Sequence, residues 1–230
     1  MQKILLAIFV MLSTFLSAQD STMIFIETGH VISDILTPDK IYRFPQFVNG
    51  KVFFRDGSLS EARLNYNYIN AEIEFIDPKN DTLAISKDQM MNIREVLIDS
   101  AVFVYNDGYM ELVTKSNLGK LYRKQEYVVS RREKIGAYNI PTATSAIDNY
   151  GTFVDEYGVF YPGLKIRENI TLVLRTRYYM DNKSVNFSRA SRRNMLDMYR
   201  SHRDELRKYI DDNKVDFRNG DDLKKLYESF

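Results

Sequence analysis

The stretch "ARLNYNYINAEIEF", residues 62–75, alternates apolar and polar side chains. The alternation is interrupted near Ile69 and Asn70 and then resumes. Successive residues of a β-strand point to opposite faces of a sheet, so the pattern predicts two strands joined by a turn near Ile69 and Asn70. One face of this pair then carries most of the apolar side chains. The predicted core residues are Ala62, Leu64, Tyr66, Tyr68, Ile73 and Phe75.

The other face of the same strands carries Asn65, Asn67, Glu72 and Glu74. Two carboxylates held about 5 to 9.5 Å apart can hydrolyse a glycosidic bond. The apolar residues on the reverse face nevertheless favour a simpler interpretation, in which this polar face is solvated. The alternating tyrosines are likewise predicted to be core rather than a platform for ligands, because aromatic residues in strands usually pack inside.

The alternation extends outward from Gly50 to about Arg132, with turn signals roughly every 8 to 12 residues. Asp56-Gly57 and Asp107-Gly108 suit tight hairpins, which need positive φ angles. Residues 135–163 interrupt the alternation with Gly, Pro, Ser, Thr and Asn, and this predicts a long surface loop. The stretch "NITLVLRTRYYM", residues 169–180, predicts a further strand.

After Phe187 the apolar spacing becomes helical. Ser188 is predicted to cap a first helix, Ser201 to open a second over residues 203–212, and Asp221 or Asp222 to begin a third. The residues that the third helix is predicted to bury are Leu223, Leu226 and Tyr227. The fold class is therefore α+β: an antiparallel β-sandwich or barrel-like unit, 19–187, followed by a short C-terminal helical segment, 188–230.

The first eighteen residues, "MQKILLAIFVMLSTFLSA", have the layout of a secretory signal peptide. One cation, Lys3, precedes an apolar run from Ile4 to Leu16, and the small residue Ala18 follows. The run has about 13 residues, whereas a membrane-spanning helix needs about 20. We therefore predict a signal peptide over residues 1–18, cleavage after Ala18, and no transmembrane segment in the mature chain.

The sequence contains no cysteine, which excludes disulfides, thiolate metal sites and lipid attachment to a cysteine after the signal. We therefore expect an exported, soluble protein, periplasmic or secreted, that is not a lipoprotein. Removal of Lys3 from the 32 basic side chains leaves 31, equal to the 31 acidic ones. Zero net charge gives no long-range attraction to nucleic acid, so no nucleic-acid partner is predicted.

His30 and His202 are the only histidines, and they fall in different predicted elements. A histidine-based triad or metal site would need both to converge, so neither is predicted. The sequence also has no glycine-rich phosphate loop and no nucleophile elbow. No cofactor and no metal are therefore predicted.

The most prominent charge feature is a group of arginines in the predicted helical segment, where spacings of three and four residues align the first three on one helix face and the last three on another. Its members are Arg189, Arg192, Arg193, Arg200, Arg203 and Arg207. They suit an anionic envelope component, such as a lipid, or an acidic envelope protein. Interleaved acidic residues, Asp197 and Asp204 among them, favour the alternative of an ordinary solvated helix surface.

Asp155 and Glu156 lie near the predicted loop, where they would be able to line a cleft. They are the candidate catalytic residues of an alternative function, a carboxylate-dependent hydrolase acting on an envelope polymer or glycan. The primary prediction is a non-catalytic cell-envelope protein that binds another envelope component through the loop or the helical segment. An anionic-lipid binder is a further alternative.

"YRFPQFVNGKVFFRDGSLSEARLNYNYINAEIEF", residues 42–75, followed by "DTLAIS", resembles the opening of small exported proteins of unassigned function from Bacteroidota. The ending "SHRDELRKYIDDNKVDFRNGDDLKKLYESF", residues 201–230, also looks like theirs, with a lysine-rich helix, a short link and a last helix. The resemblance implies an envelope location. It implies no activity, and no catalytic residues are carried over from it.

Overall fold

The computed structural model describes residues 22–135, 141–142, 165–166, 168–182 and 186–230. Within them, twelve strands belong to one antiparallel sheet. The strands are β1 (Met23–Ile26), β2 (Val48–Phe54), β3 (Leu59–Asn67), β4 (Glu72–Ile76), β5 (Thr82–Ala84), β6 (Ile93–Ile98), β7 (Ala101–Tyr105), β8 (Tyr109–Lys115), β9 (Lys120–Ile135), β10 (Pro141–Thr142), β11 (Asn169–Asn182) and β12 (Asn186–Arg189).

The helices are short before the sheet is complete and longer after it. They are α1 (Ile32–Ile35), α2 (Pro38–Ile41), α3 (Lys87–Met90), α4 (Arg192–Met198), α5 (Arg203–Asn213) and α6 (Gly220–Glu228), with a 3-10 turn at Arg200–His202. The predicted α+β class, an antiparallel β unit followed by C-terminal helices, is confirmed. Among the described residues, no helix combines the length and the apolar character needed to cross a membrane.

The strand order is β1-β11-β9-β8-β7-β6-β2-β3-β4-β5, with β10 beside β9 and β12 beside β11. The order ends at β1 and β5, so the sheet is not closed into a barrel. Most neighbours are joined by hairpins, because turn residues at Asp56-Gly57 and Asp107-Gly108 adopt the predicted sharp bends, with φ +90° at Gly57 and +103° at Gly108.

The hairpin of β3 and β4 has the predicted register. Leu64 lies opposite Phe75 and Tyr66 lies opposite Ile73, and the turn between the strands includes Ile69 and Asn70. Leu64, Tyr66 and Ile73 are all buried in one core cluster, which also contains residues of β6, β7 and β8. The prediction that the alternating tyrosines belong to a core is confirmed for Tyr66.

The sheet curls so strongly that the end of β3 touches β8 and β9. The backbone N–H of Tyr109 donates to the carbonyl of Ala71, and that of Tyr127 donates to the carbonyl of Tyr68, both at 2.7 Å. The Tyr66 hydroxyl donates to the carbonyl of Gln125, also at 2.7 Å. These isolated contacts fix the curl without adding a strand pair.

Two buried tyrosines in this core give a matched pair of substitutions. We expect Tyr66→Phe to lower the free energy of unfolding by about 1 to 3 kcal/mol, because it removes the donor to the partly buried Gln125 carbonyl and to the buried Tyr109 carbonyl. The Tyr109 hydroxyl is also buried but makes no hydrogen bond with the described residues. Tyr109→Phe should therefore change stability by less than about 0.5 kcal/mol, or raise it. Urea denaturation followed by circular dichroism measures both; equal losses would contradict this account.

The C-terminal helices share a second core with the sheet. Leu223, Leu226 and Tyr227 of α6 are fully buried, as predicted, and they cluster with Leu121 of β9 and Met180 of β11. A third cluster lies between β1, the helices α1 and α2, and the N-terminal half of β11. The helical core and this third cluster therefore lie at opposite ends of β11.

The predicted start of the first tail helix is wrong. Ser188 and Arg189 belong to β12, and the helix α4 is capped by Ser191, whose hydroxyl accepts from the backbone N–H of Asn194. The reason is that β12 pairs with β11, and this ladder satisfies the Ser188 backbone instead of a helix. Ser201 lies in the 3-10 turn and does not cap α5, although α5 spans the predicted range.

Three predicted features fall wholly or mostly outside the described residues. The signal peptide 1–18 is outside them. Of the predicted loop 135–163, the structure describes Ile135, which ends β9, and Pro141–Thr142, which form β10. The candidate catalytic residues Asp155 and Glu156 are also outside.

Candidate functional site

Three of the four residues on the polar face of the β3–β4 hairpin are buried, which corrects the prediction that this face is solvated. The exposed fractions are 1% for Asn65, 1% for Asn67 and 8% for Glu74. The cause is a stretch that precedes the hairpin in sequence and folds across it. We call this stretch, residues 37–47, the covering segment.

Backbone hydrogen bonds hold the covering segment against the hairpin. The N–H of Arg43 donates to the carbonyl of Tyr66 at 2.9 Å, and the N–H of Tyr68 donates to the carbonyl of Ile41 at 2.7 Å. The helix α2 begins with Pro38, whose missing N–H is no loss at the first turn of a helix. The segment therefore approaches the hairpin at a defined place, immediately after α2.

Asn65 fastens the segment with its side chain. Its Oδ1 accepts from the backbone N–H of Phe44 at 3.1 Å, and its Nδ2 donates to the carbonyl of Phe44 at 2.9 Å. The amide thus offers the donor and acceptor that a neighbouring strand would offer. Asn65 is a structural residue, because both ends of its amide are used within the fold.

Glu74 is held by two neutral donors. The Tyr42 hydroxyl donates to Oε2 at 2.6 Å, and Asn67 Nδ2 donates to Oε1 at 2.8 Å. Asn67 is itself fixed, because its Oδ1 accepts from the backbone N–H of Ile69 at 2.8 Å. Burial, with the hydrogen bond to Glu74 and its charge, raises the pKa of Tyr42 well above its usual value, so the hydroxyl stays protonated and donates.

Among the described residues, no lysine or arginine nitrogen lies within 4.0 Å of the Glu74 carboxylate. The ion pairs of the sheet involve other acidic residues. A carboxylate taken out of water normally finds a cationic partner, because its hydration is lost. Glu74 instead rests on a tyrosine and an asparagine. It retains lone pairs that a further donor can use, since each carboxylate oxygen accepts more than one hydrogen bond.

Glu74 lies at an open cleft of about 610 Å³ between the covering segment and the edge strand β5. Apolar side chains form much of its wall, among them Ile41 and Phe47 of the covering segment. The Phe47 ring meets the Tyr42 ring edge-on, with centroids 5.1 Å apart. We call this space the Glu74 cleft. A few directed polar groups among apolar walls are the usual composition of a ligand site.

The Glu74 cleft holds one carboxylate among its described lining residues. Glycoside hydrolysis by paired carboxylates needs a second one across the scissile bond. Glu72, the nearest acidic residue in sequence, accepts from Asn70 Nδ2 at 3.2 Å and does not line the cleft. The described arrangement can therefore bind a donor-bearing group, but it does not present the acid and base of a hydrolase.

A second depression, about 660 Å³, lies at the β2–β3 hairpin and includes Arg55, Asp56 and Ser58. Its polar groups serve local turns. Asp56 accepts from the backbone N–H and the hydroxyl of Ser58, and these hydrogen bonds lower the pKa of Asp56. Arg55 donates to the carbonyl of Met91 at 3.0 Å. This depression is less suited to a ligand than the Glu74 cleft.

The structure does not place Arg189 on a helix face with Arg192 and Arg193. Arg189 is in β12, Arg192 and Arg193 are in α4, and Arg200 is in the 3-10 turn, so the expected alignment of the first three is wrong. The cause is again the pairing of β12 with β11, which makes the helix begin later in the sequence than its pattern suggested.

Five of these arginines contact acidic residues or a carbonyl of their own segment. Arg192 binds Asp211 through two 2.8 Å contacts, and Arg207 lies 3.4 Å from Asp204. Asp197 collects the others: its carboxylate lies 3.8 Å from Arg193 and 3.9 Å from Arg203, and its carbonyl accepts from Arg200. Exposed ion pairs contribute only about 0 to 1 kcal/mol each. Binding of an anionic partner by these arginines stays a prediction.

The two histidines are not brought together as a site. His30 is exposed beside β1, and His202 lies 3.3 Å from Glu205 on the helical tail. Within the part of the chain that the structure describes, no group of three or more His, Asp or Glu side chains is arranged to hold a metal ion.

One sequence signal does indicate the covered face beside the Glu74 cleft. Residues 41–47, "IYRFPQF", are rich in aromatic and apolar side chains but lack period-two alternation. Such a stretch needs an apolar surface to cover. Joined to the polar but uncharged Asn65 and Asn67, it indicates a face that is covered rather than solvated.

Comparison of the chain with protein-family models, with curated proteins and with solved structures finds no match.

Proposed function

We propose that this chain is an exported, non-catalytic cell-envelope protein that acts as a binding module, and that the Glu74 cleft is its binding site. The observation that carries the proposal is the Glu74 carboxylate, buried at an open cleft and held only by Tyr42 and Asn67 among the described residues. The export part of the proposal is supported by the signal-peptide pattern of residues 1–18.

Binding is favoured over hydrolysis by the arrangement around Glu74. Both of its oxygens already accept a hydrogen bond, from Tyr42 and from Asn67, and these hold the carboxylate in one orientation. An oriented acceptor costs little entropy when a donor-bearing ligand arrives. Apolar walls at Ile41 and Phe47 add contact area for the rest of the ligand.

Glu74→Gln is expected to reduce capture of the partner about tenfold or more, because glutamine keeps the shape of the side chain and removes its charge. The measurement uses the chain over residues 19–230, immobilised and exposed to the envelope fraction of the organism that produces it. Captured proteins, glycans and lipids are quantified by mass spectrometry. Unchanged capture by Glu74→Gln would refute the proposal.

The matched control is Glu61→Gln. Glu61 lies on the same hairpin, outside the cleft, with a 65% exposed side chain 3.4 Å from Lys51. The Glu61→Gln variant should capture the same components as the unaltered chain. Equal losses in both variants would mean that capture follows overall charge and not the Glu74 cleft.

A further inference from the structure

The strand β5 is one end of the sheet, and its outer edge has no partner strand among the described residues. Its register with β4 places Ala84 opposite Glu74 and Leu83 opposite Phe75. Unpaired backbone groups of an edge strand are a template for another chain, and proteins usually blunt such an edge with charge or proline. The three residues of β5 are exposed, uncharged and free of proline.

The direction of each β5 backbone group follows from the hydrogen bonds that flank the strand. The N–H of Ile85 donates to the carbonyl of Ile73, and the N–H of Asp77 donates to the carbonyl of Asp81. Hydrogen-bonded and non-bonded pairs alternate along an antiparallel ladder. Leu83 is therefore bonded to β4, whereas the N–H and C=O groups of Thr82 and Ala84 point outward from the sheet.

The outward edge is continuous with the Glu74 cleft. The side chains of Thr82 and Ala84 lie on the same face of the sheet as Glu74, because alternate residues share a face and Ala84 is the cross-strand neighbour of Glu74. Both residues line the cleft. A chain that paired with β5 would therefore have every second side chain above this cleft.

We infer that the partner is an extended polypeptide segment that adds an antiparallel or parallel strand to β5 and places a lysine or arginine side chain against Glu74. This inference rests on the proposed function, whose binding site it shares. Addition of a strand to an exposed sheet edge is an established mode of peptide recognition, in which main-chain hydrogen bonds give affinity and pockets give specificity.

The charge of the peptide follows from Glu74. It is the one charged residue among the described lining of the cleft, and it has neutral donors only. A lysine or arginine supplies both the opposite charge and new donors, and charge-assisted hydrogen bonds are the stronger kind. Complementary charge also selects among partners.

The length of the side chain follows from the sheet. Neighbouring strands lie about 4.8 Å apart, so an added strand would run roughly 10 Å from β4, two spacings away. Only a long side chain on the added strand can meet the Glu74 carboxylate across that distance. Ala84 lies between them, and its small side chain leaves the path open.

The test is selection of a random nonapeptide library, displayed on phage, against the immobilised chain over residues 19–230. We expect the selected peptides to share a lysine or arginine at one position, flanked by residues of high strand propensity. No enrichment, or enrichment of acidic or neutral peptides, would overturn the inference.

Two synthetic changes to a selected peptide separate the two contacts. Replacement of its lysine by glutamine should weaken binding about tenfold to the unaltered chain, and should have no effect on binding to the Glu74→Gln variant. Two methylated peptides are compared, one with the amide nitrogens of its odd-numbered residues methylated and one with those of its even-numbered residues. Only one of them should bind about tenfold more weakly, because the backbone N–H groups of only every second residue face β5. Insensitivity to methylation at both phases would overturn strand addition.

The outcome is distinguishable from failure of the proposed function. If envelope capture depends on Glu74 but the captured component is a saccharide or a lipid, the binding module stands and the peptide inference falls. If capture does not depend on Glu74, the proposed function falls first, and the peptide inference falls with it.

Discussion

Gly119→Ala is expected to lower the free energy of unfolding by about 3 kcal/mol or more, through overpacking and backbone strain together. Gly119 lies in the turn between β8 and β9 with φ +152°, and a Cβ placed there would lie 2.2 Å from the backbone carbonyl oxygen of Asp181. A backbone oxygen inside the sheet cannot rotate away as a flexible side chain can. The strand β11 would therefore have to shift.

The control for this substitution is Gly57→Ala. Gly57 also has a positive φ, +90°, but nothing lies within 4 Å of a Cβ built on it. It should cost about 1 to 2 kcal/mol, from the unfavourable backbone conformation alone. Urea denaturation of both variants measures the difference. A loss at Gly119 no larger than at Gly57 would show that the turn relaxes and that the contact with β11 is not rigid.

Tyr227→Ala is expected to lower the free energy of unfolding by about 3 to 5 kcal/mol, the usual cost of truncating a large buried aromatic residue. The Tyr227 side chain is fully buried in α6, and its hydroxyl lies 3.0 Å from the Tyr199 hydroxyl. Tyr199 in turn lies 3.3 Å from the carbonyl of Asp181 in β11. The truncation removes packing and also ends this chain of contacts between helices and sheet.

Lys224→Ala in the same helix is the control, because the Lys224 side chain is 51% exposed and the substitution removes an ion pair in which its Nζ lies 3.8 Å from a carboxylate oxygen of Glu228. It should change stability by less than about 0.5 kcal/mol. Tyr227→Ala should also keep a single unfolding transition, because the α6 core includes Leu121 and Met180 of the sheet. Two separate transitions would mean that the helical tail unfolds independently of the sheet.

The C-terminal helical segment shows which features a local sequence pattern predicts and which it does not. The apolar spacing of Leu223, Leu226 and Tyr227 correctly indicated the buried face of α6, because helical periodicity is a property of neighbouring residues. The sequence pattern predicts Ser188 as the cap of the first tail helix, whereas Ser191 caps α4 in the structure. Both serines can cap a helix, and only the pairing of β12 with β11 decides which one does.

The candidate site could not be predicted in the same way. Alternation along β3 predicts that Tyr66 faces the core and that Asn67 lies on the opposite face of the sheet. It does not predict which part of the chain covers that opposite face. Asn67 and Glu74 looked solvated because polar residues usually are. They are buried because the covering segment, which lies more than twenty residues earlier in the sequence, pairs with β3 at Asn67 and places the Tyr42 side chain against Glu74.

The sequence by itself determined the α+β class, the β3–β4 register and the buried stripe of α6, since each depends on spacing between near neighbours in the chain. Only the tertiary structure decided that Glu74 lies at a cleft between the covering segment and β5, held by Tyr42 and Asn67. The physical reason is that burial of a polar face depends on contacts between segments that are distant in sequence. The hydrogen bonds between such segments replace those to water, and they produce no periodic pattern in the sequence.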